Sequence, residues 1–246
     1  IQGTRGALFE RANKKYLLYT LPFLFADIEQ AKRLIRSGFG EKINQGAKAN
    51  GFYVPVTGVA GGFRQFTNNV RPIATPDDMK GLKMRTPPID SIIRTMTALG
   101  ANPQQVPYGE TYMALKTNVV DGQENPCSNI AEMKFYEVQK YFTEVNYQIH
   151  PDPFFVSLAW YEALPTELKA VFDSAAKAAM ARSDEIWLAS EKDYQTLLTQ
   201  KLQPNKVTPE NYRAFVAKVK PVWDHYVSAG YFTRAEIDEA LAQAAR

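Results

Sequence analysis

Val120-Asp121-Gly122-Gln123-Glu124-Asn125-Pro126 packs two acids, two amides, a glycine and a proline into seven residues. It lies between a helical pattern over residues 108–117 and a mostly helical one over 128–140, so residues 119–123 read as a strand that runs into a turn at Asn-Pro. Its companion is Gly81-Leu82-Lys83-Met84-Arg85-Thr86-Pro87, where a short apolar strand over 82–86 delivers a guanidinium to a proline-bounded loop. Before that strand, Thr75-Pro76-Asp77-Asp78 has the cap, the first-position proline and the first-turn acids of a helix start. After it, residues 89–99 read as a helix closed by Gly100, and 101–106 as extended. Together with a strand-like 63–68, this repetition with short connections predicts a mainly parallel sheet covered by helices. Right-handed crossovers then put the loops following Arg85 and Gln123 on one carboxyl edge, where open α/β sheets bind ligands.

Upstream, residues 7–14 suggest a short helix. Residues 17–25 are apolar and aromatic around Pro22, which predicts an extended segment buried against a sheet. Asp27 caps a helix carrying Ile28, Ala31, Leu34 and Ile35 at helical spacing, and a second helical piece runs to Asn50 with Gly51 as its stop. Residues 52–57 read as a strand leading into Gly58-Val59-Ala60-Gly61-Gly62. That spacing fits no phosphate-binding motif and instead suggests a crossing point between two lobes, since glycine tolerates unusual backbone angles. Downstream, strands over 141–149 and 154–160 flank His150-Pro151-Asp152-Pro153, a second candidate crossing. From Thr166 to Pro204 the chain has no Gly or Pro and predicts one long helix or two fused ones. Thr208-Pro209-Glu210 opens another, kinked at Pro221, and Thr233-Arg234-Ala235-Glu236 is a capping box for the last.

With 246 residues the chain is long enough to bury roughly 70 to 75% of its unfolded surface without disulfides or metal. The net charge of +3 comes from lysines and arginines interspersed with acids, which argues against nucleic acid as a partner. The longest apolar stretch, 16–26, is too short to span a bilayer. A lone Cys127 excludes a disulfide within the chain, and two histidines far apart, His150 and His225, offer no metal-ligand spacing. No nucleophile elbow is present, so no catalytic residue is assigned, and no metal or cofactor is called for. Glu110, Asp121 and Glu124 have the chemistry for acid/base work, although carboxylates at helix starts and turns are more often caps. Arginine in a strand-end loop is more suggestive, because its planar fork matches a carboxylate and stays charged at any working pH.

Several stretches together resemble one family. They are Gly62-x-Arg64 with Phe66-Thr67-Asn68-Asn69 and Arg71-Pro72-Ile73, the Gly81 to Arg85 run, and Leu99-Gly100-Ala101-Asn102-Pro103. The match continues through Glu110-x-Tyr112-x-Ala114-Leu115, the Val120 to Pro126 run and Lys134-Phe135-Tyr136-Glu137-Val138-Gln139-Lys140-Tyr141, with Leu21-Pro22-Phe23-Leu24-Phe25 upstream. Over residues 21–160 the chain is similar to the DctP type of solute-binding protein of TRAP transporters. The resemblance implies an α/β, two-lobed, periplasmic-binding-protein-like (class II-type) fold with mixed sheets, a long connecting helix and C-terminal helices. It implies lobe I at 1–62 and 151–190, lobe II at 63–150 and 191–217, and C-terminal helices at 218–246. The implied function is periplasmic capture of an organic acid and its delivery to the membrane subunits of the transporter by a non-enzyme that does not itself span the membrane. The implied ligand-binding residues are Arg85 and Asn125 on the carboxylate, Arg64 as a further pocket arginine, Tyr108 packing over the ligand, and Tyr147 where several members carry histidine. Family members normally have two further β-α units before Leu21, so lobe I is expected to be incomplete at its N-terminus, with an exposed sheet edge and half a cleft, and the Ile1 start to reflect either processing or trimming of the chain or a reduced variant. The alternative is an isomerase or lyase on a similar scaffold, with Glu124 as base.

Overall fold

The computed structural model describes residues 2–3, 7–59 and 61–245. Its strands are β1 (Gln2–Gly3), β2 (Phe52–Tyr53), β3 (Thr57–Gly58), β4 (Arg64–Asn68), β5 (Lys83–Thr86), β6 (Asn102–Gln105), β7 (Gly122–Pro126), β8 (Tyr141–Glu144), β9 (Asp152–Ser157) and β10 (Gln203–Lys206). Its helices are α1 (Ala7–Ala12), α2 (Ile28–Arg36), α3 (Gly38–Gly46), α4 (Asp90–Ala98) and α5 (Thr111–Lys116). They continue as α6 (Cys127–Glu132), α7 (Leu158–Glu162), α8 (Thr166–Lys201), α9 (Pro209–Ser228) and α10 (Arg234–Ala245).

Two sheets organise the chain. In the first, β9 pairs antiparallel with β1, β2 and β3. The second runs β10-β8-β4-β7-β5-β6. It is mixed, where a mainly parallel sheet is expected from the β-α repetition: β5 is parallel to β6 and β7, and β8 to β10, but β4 is antiparallel to both β7 and β8. The physical reason is that β4 enters this sheet from the first one, and so runs against the strands that return towards it. Arg64 therefore lies opposite Pro126 and Arg85 opposite Gln123. The start of β4 and the ends of β5 and β7 share one edge of the sheet.

Strands β4 and β7 are buried at every position, although only Phe66, Gly122 and Pro126 are not polar or charged. Buried polar groups must find partners, and these two strands supply them to each other. Their close approach explains Gly122: a Cβ there would overlap the Thr67 carbonyl oxygen and lie 2.7 Å from Asn68 Cβ and 2.9 Å from Met84 Sδ. The strand expected at 119–123 is thus shifted to Gly122–Pro126, and Asn125-Pro126 ends it instead of forming a turn. Proline is tolerated at that last position, where the missing N–H weakens the ladder least.

Other expectations also shift. The apolar segment 17–25 is buried but not extended: Lys14–Thr20 is a 3-10 helix whose cap, Asn13, accepts from Lys15 N, and Pro22 acts only after it has ended. The strand expected at 141–149 stops at Glu144, and Val145 and Asn146 N–H groups donate to the Gln65 side chain instead of a ladder. Residues 158–160 turn helical behind a Ser157 cap. The caps at Asp27, Thr208 and Thr233 form as expected, with side chains accepting from Gln30, Asn211 and Glu236 N–H.

Three connections join the sheets. The first passes Gly61 and Gly62, both at positive φ (117° and 62°). The second returns from β8, and the two are bridged by Phe63 against Ile149 and by His150 N donating to Gly62 O at 3.1 Å. The third is α8, a single helix of 36 residues. Its Asp184 accepts from Val59 N beside the first sheet, and its Leu198 is buried with Phe142 and Ile130 against the second. Helix α9 contributes Phe215, Val219, Val222 and Tyr226 to the larger core, where Trp223 donates to Pro22 O at 3.0 Å.

Candidate anion-binding site

Arg85 decides the character of the shared sheet edge. It is only 2% exposed, yet its one hydrogen bond to the described protein is from Nε to Val106 O at 2.9 Å. Its guanidinium carbon lies 5.7 Å from the centre of the Tyr108 ring. Burial lowers its pKa, with Glu124 acting in the opposite sense and Arg64 in the same sense. A buried cation that no carboxylate of the described residues bridges is a site that an anion would complete.

Arg64 is the contrasting case. It forms a buried ion pair with Glu124, and its Nη2 also donates to Glu124 Oε1 and the Glu124 carbonyl at 2.9 Å and to Asn125 Oδ1 at 3.1 Å. Burial opposes its charge most strongly, but Glu124 and Tyr147 together outweigh that and hold its pKa above the ordinary range. Nη1 lies 3.3 Å from His150 Nδ1. Tyr147 is fully buried, stacks on Phe66 at 5.1 Å and donates its hydroxyl to Glu124 Oε2. Burial, reinforced by Glu124, drives its pKa well up. Arg64 and Tyr147 therefore meet the site through Glu124, and Tyr147 is part of the core. Glu124 has both oxygens engaged, Oε2 by Arg64 and Tyr147 and Oε1 by Arg64.

Asn125 is 5% exposed and sits on the same side of β7 as Gln123, the partner of Arg85. Its Nδ2 donates to Gln123 Oε1 at 2.6 Å. Half-buried Tyr108 accepts from Asn129 Nδ2 at 2.9 Å and packs edge-on to Phe135. The structure thus brings Arg85, Asn125, Arg64 and Tyr108 together and keeps Tyr147 behind them. Gln123, Thr67, Glu191 and Asn129 are neighbours that sequence reasoning missed. Glu191, from α8, accepts from Cys127 N and Ser128 N at 3.1 and 3.3 Å and ties the long helix to the end of β7. Period-two alternation was the available signal: Gln123 and Asn125 fall on one face of a strand and Glu124 on the other.

The Cys127 thiol is buried, and burial with Glu191 beside it raises its pKa. Among the described residues no group of three or more His, Cys, Asp or Glu is arranged to hold a metal, and no helix is long and apolar enough to cross a membrane.

Comparison with known proteins gives a consistent picture. The model of the DctP family, described as bacterial extracellular solute-binding protein, family 7, matches residues 1–229. The C4-dicarboxylate-binding periplasmic protein DctP of Vibrio cholerae is 34% identical over 222 residues, which cover 89% of this chain and 65% of that protein. Among solved structures, a TRAP periplasmic solute-binding protein from Shewanella oneidensis with bound succinate is similar at a TM-score of 0.90 and 29% identity, covering 98% of this chain and 79% of that one. A sugar acid binding protein from Advenella mimigardefordensis in complex with galactonate is similar at 0.89 and 27%, covering 99% and 78%. The chain thus spans 65% of the length of the Vibrio relative.

Proposed function

The chain belongs to the DctP family of bacterial extracellular solute-binding proteins, and we propose that it captures a small organic acid outside the cytoplasm and passes it to a TRAP-type membrane permease. The observation that carries this reading is Arg85: buried, charged and, among the described residues, hydrogen-bonded only through Nε. Both terminal nitrogens are then available to a ligand carboxylate as a bidentate fork, and Asn125 adds a second contact. Tyr108 forms an aromatic flank.

Arg64 contributes to the field and the framework, since its charge is already matched by Glu124. Closure is the working step: residues 63–150 and 191–217 move as lobe II against 1–62 and 151–190, and the ligand favours the closed state by its differential affinity. Relatives described as binding C4-dicarboxylates and galactonate support the carboxylate as the recognised group. The reading is tested by titrating purified protein with succinate, galactonate, glucuronate and erythronate in a calorimeter. Saturable one-to-one binding of at least one acid without turnover is expected; no binding, or conversion of the acid, would overturn it.

A further inference from the structure

Asn125 recognises a carboxylate only if it presents an N–H, and a flipped amide would turn an oxygen lone pair towards the anion. The structure contains a device that settles this choice. Gln139 Nε2 donates to the main-chain carbonyls of Val138 at 3.2 Å and Asp121 at 3.4 Å, which leaves its Oε1 as an acceptor. The Thr67 hydroxyl donates to that Oε1 at 2.8 Å. Its oxygen accepts from Gln123 Nε2 at 2.9 Å, so Gln123 turns Oε1 towards Asn125. Gln123 Oε1 accepts one N–H of Asn125 at 2.6 Å, while Asn125 Oδ1 accepts from Arg64. Each side chain in the relay is under 8% exposed, where an unmade hydrogen bond is costly.

We propose that Gln139, Thr67 and Gln123 are positioning residues: the relay holds the Asn125 amide so that its second Nδ2 hydrogen faces the ligand carboxylate. The inference rests on the acid-binding reading for its function, but not for its geometry. A reversal anywhere in the chain sets two N–H groups, or two oxygens, against each other. The main-chain carbonyls at one end and the Arg64 donors at the other both resist it. The relay begins on the loop before β8 and crosses β4 to β7, so the identity of residue 139 bears on a contact made at the opposite end of the sheet.

The test compares Thr67→Val, which keeps shape and loses the hydroxyl, with Thr67→Ser, which keeps the hydroxyl. Succinate and galactonate serve as probes. Thr67→Val is expected to weaken the bound acid about tenfold, the scale of one buried hydrogen bond, and Thr67→Ser less than about twofold on the same scale. Gln139→Met breaks the relay nearer the surface and is expected to act in the same direction as Thr67→Val, which covers a failure of the valine variant to fold. In heteronuclear NMR spectra of the ligand-free protein, the Asn125 side-chain amide pair should shift in Thr67→Val or Gln139→Met and hold its place in Thr67→Ser. Unchanged Asn125 resonances with unchanged affinity in the folded valine or methionine variant would overturn the proposal. If the wild type binds neither probe, the acid-binding reading has failed for these acids, while the NMR comparison still decides the relay.

Discussion

Replacing Arg85 by methionine should move binding and stability in opposite directions. Truncating a desolvated arginine that pairs with a ligand charge costs about 2 to 5 kcal/mol, or about 30- to 4000-fold in Kd at about 1.4 kcal/mol per tenfold. Without ligand the balance differs. The substitution forfeits the bond to Val106 O, worth about 1 kcal/mol, and the approach to the Tyr108 ring, worth about 0.5 to 1 kcal/mol. It also removes a charge that is only 2% exposed, and the burial penalty for such a group is several kcal/mol, on the order of 3 to 4. The net gain is on the order of 1 to 2 kcal/mol, a Tm higher by roughly 2 to 8 °C. Calorimetric melting of the ligand-free protein and titration with succinate or galactonate read the two effects. A variant that melts below the wild type and binds acid with the same Kd would refute the reasoning.

Three further outcomes follow from the same geometry. Glu124→Gln leaves the buried Arg64 charge without its partner and should cost about 3 to 5 kcal/mol, seen as a Tm lower by roughly 6 to 20 °C; a Tm within a degree of wild type would mean that the pair is unimportant to the fold. Glu191 has its pKa raised from 4.5, chiefly by burial, with the Cys127 N–H acting against that rise. A raised carboxyl gives stability that is fully present below its unfolded pKa and lost as pH rises through the folded value. Glu191→Gln should therefore melt above wild type at pH 8, with the gap closing as pH falls towards 4.5; melting curves across that range check it, and a gap that widens on acidification contradicts it. Gly122→Ala forces a methyl against the Thr67 carbonyl and Met84 Sδ, so the cost should reach about 1 to 3 kcal/mol, measured by denaturant titration; no loss of stability would show that β4 and β7 have room to part.

What could be read from the sequence was local. The caps at Asp27, Thr208 and Thr233, the unbroken run that became α8, and the delivery of Arg85 to a strand end each depend on a few neighbouring residues. The direction of β4 was not legible, because it depends on which sheet the chain has just left. The end of β7 was missed for a related reason: Asn-Pro is a turn signal in isolation, whereas pairing with Gln65 and Arg64 carries the strand to Pro126. The same non-local pairing determines which acids and bases are already matched. Arg64 and Arg85 look alike as strand-end arginines, and only the register that sets Glu124 beside Arg64 distinguishes the engaged guanidinium from the available one. Tyr147 could be placed near the site by resemblance, but its burial behind Glu124 follows from its stacking on Phe66.

The most direct measurement is a crystal structure of the protein with its tightest-binding acid. The expected result is a ligand carboxylate about 3 Å from Arg85 Nη1 and Nη2, a further contact from Asn125 Nδ2, and Arg64 still bound to Glu124. An acid held by Arg64 with Glu124 displaced, or bound away from Arg85 altogether, would contradict the assignment of Arg85 as the anchor.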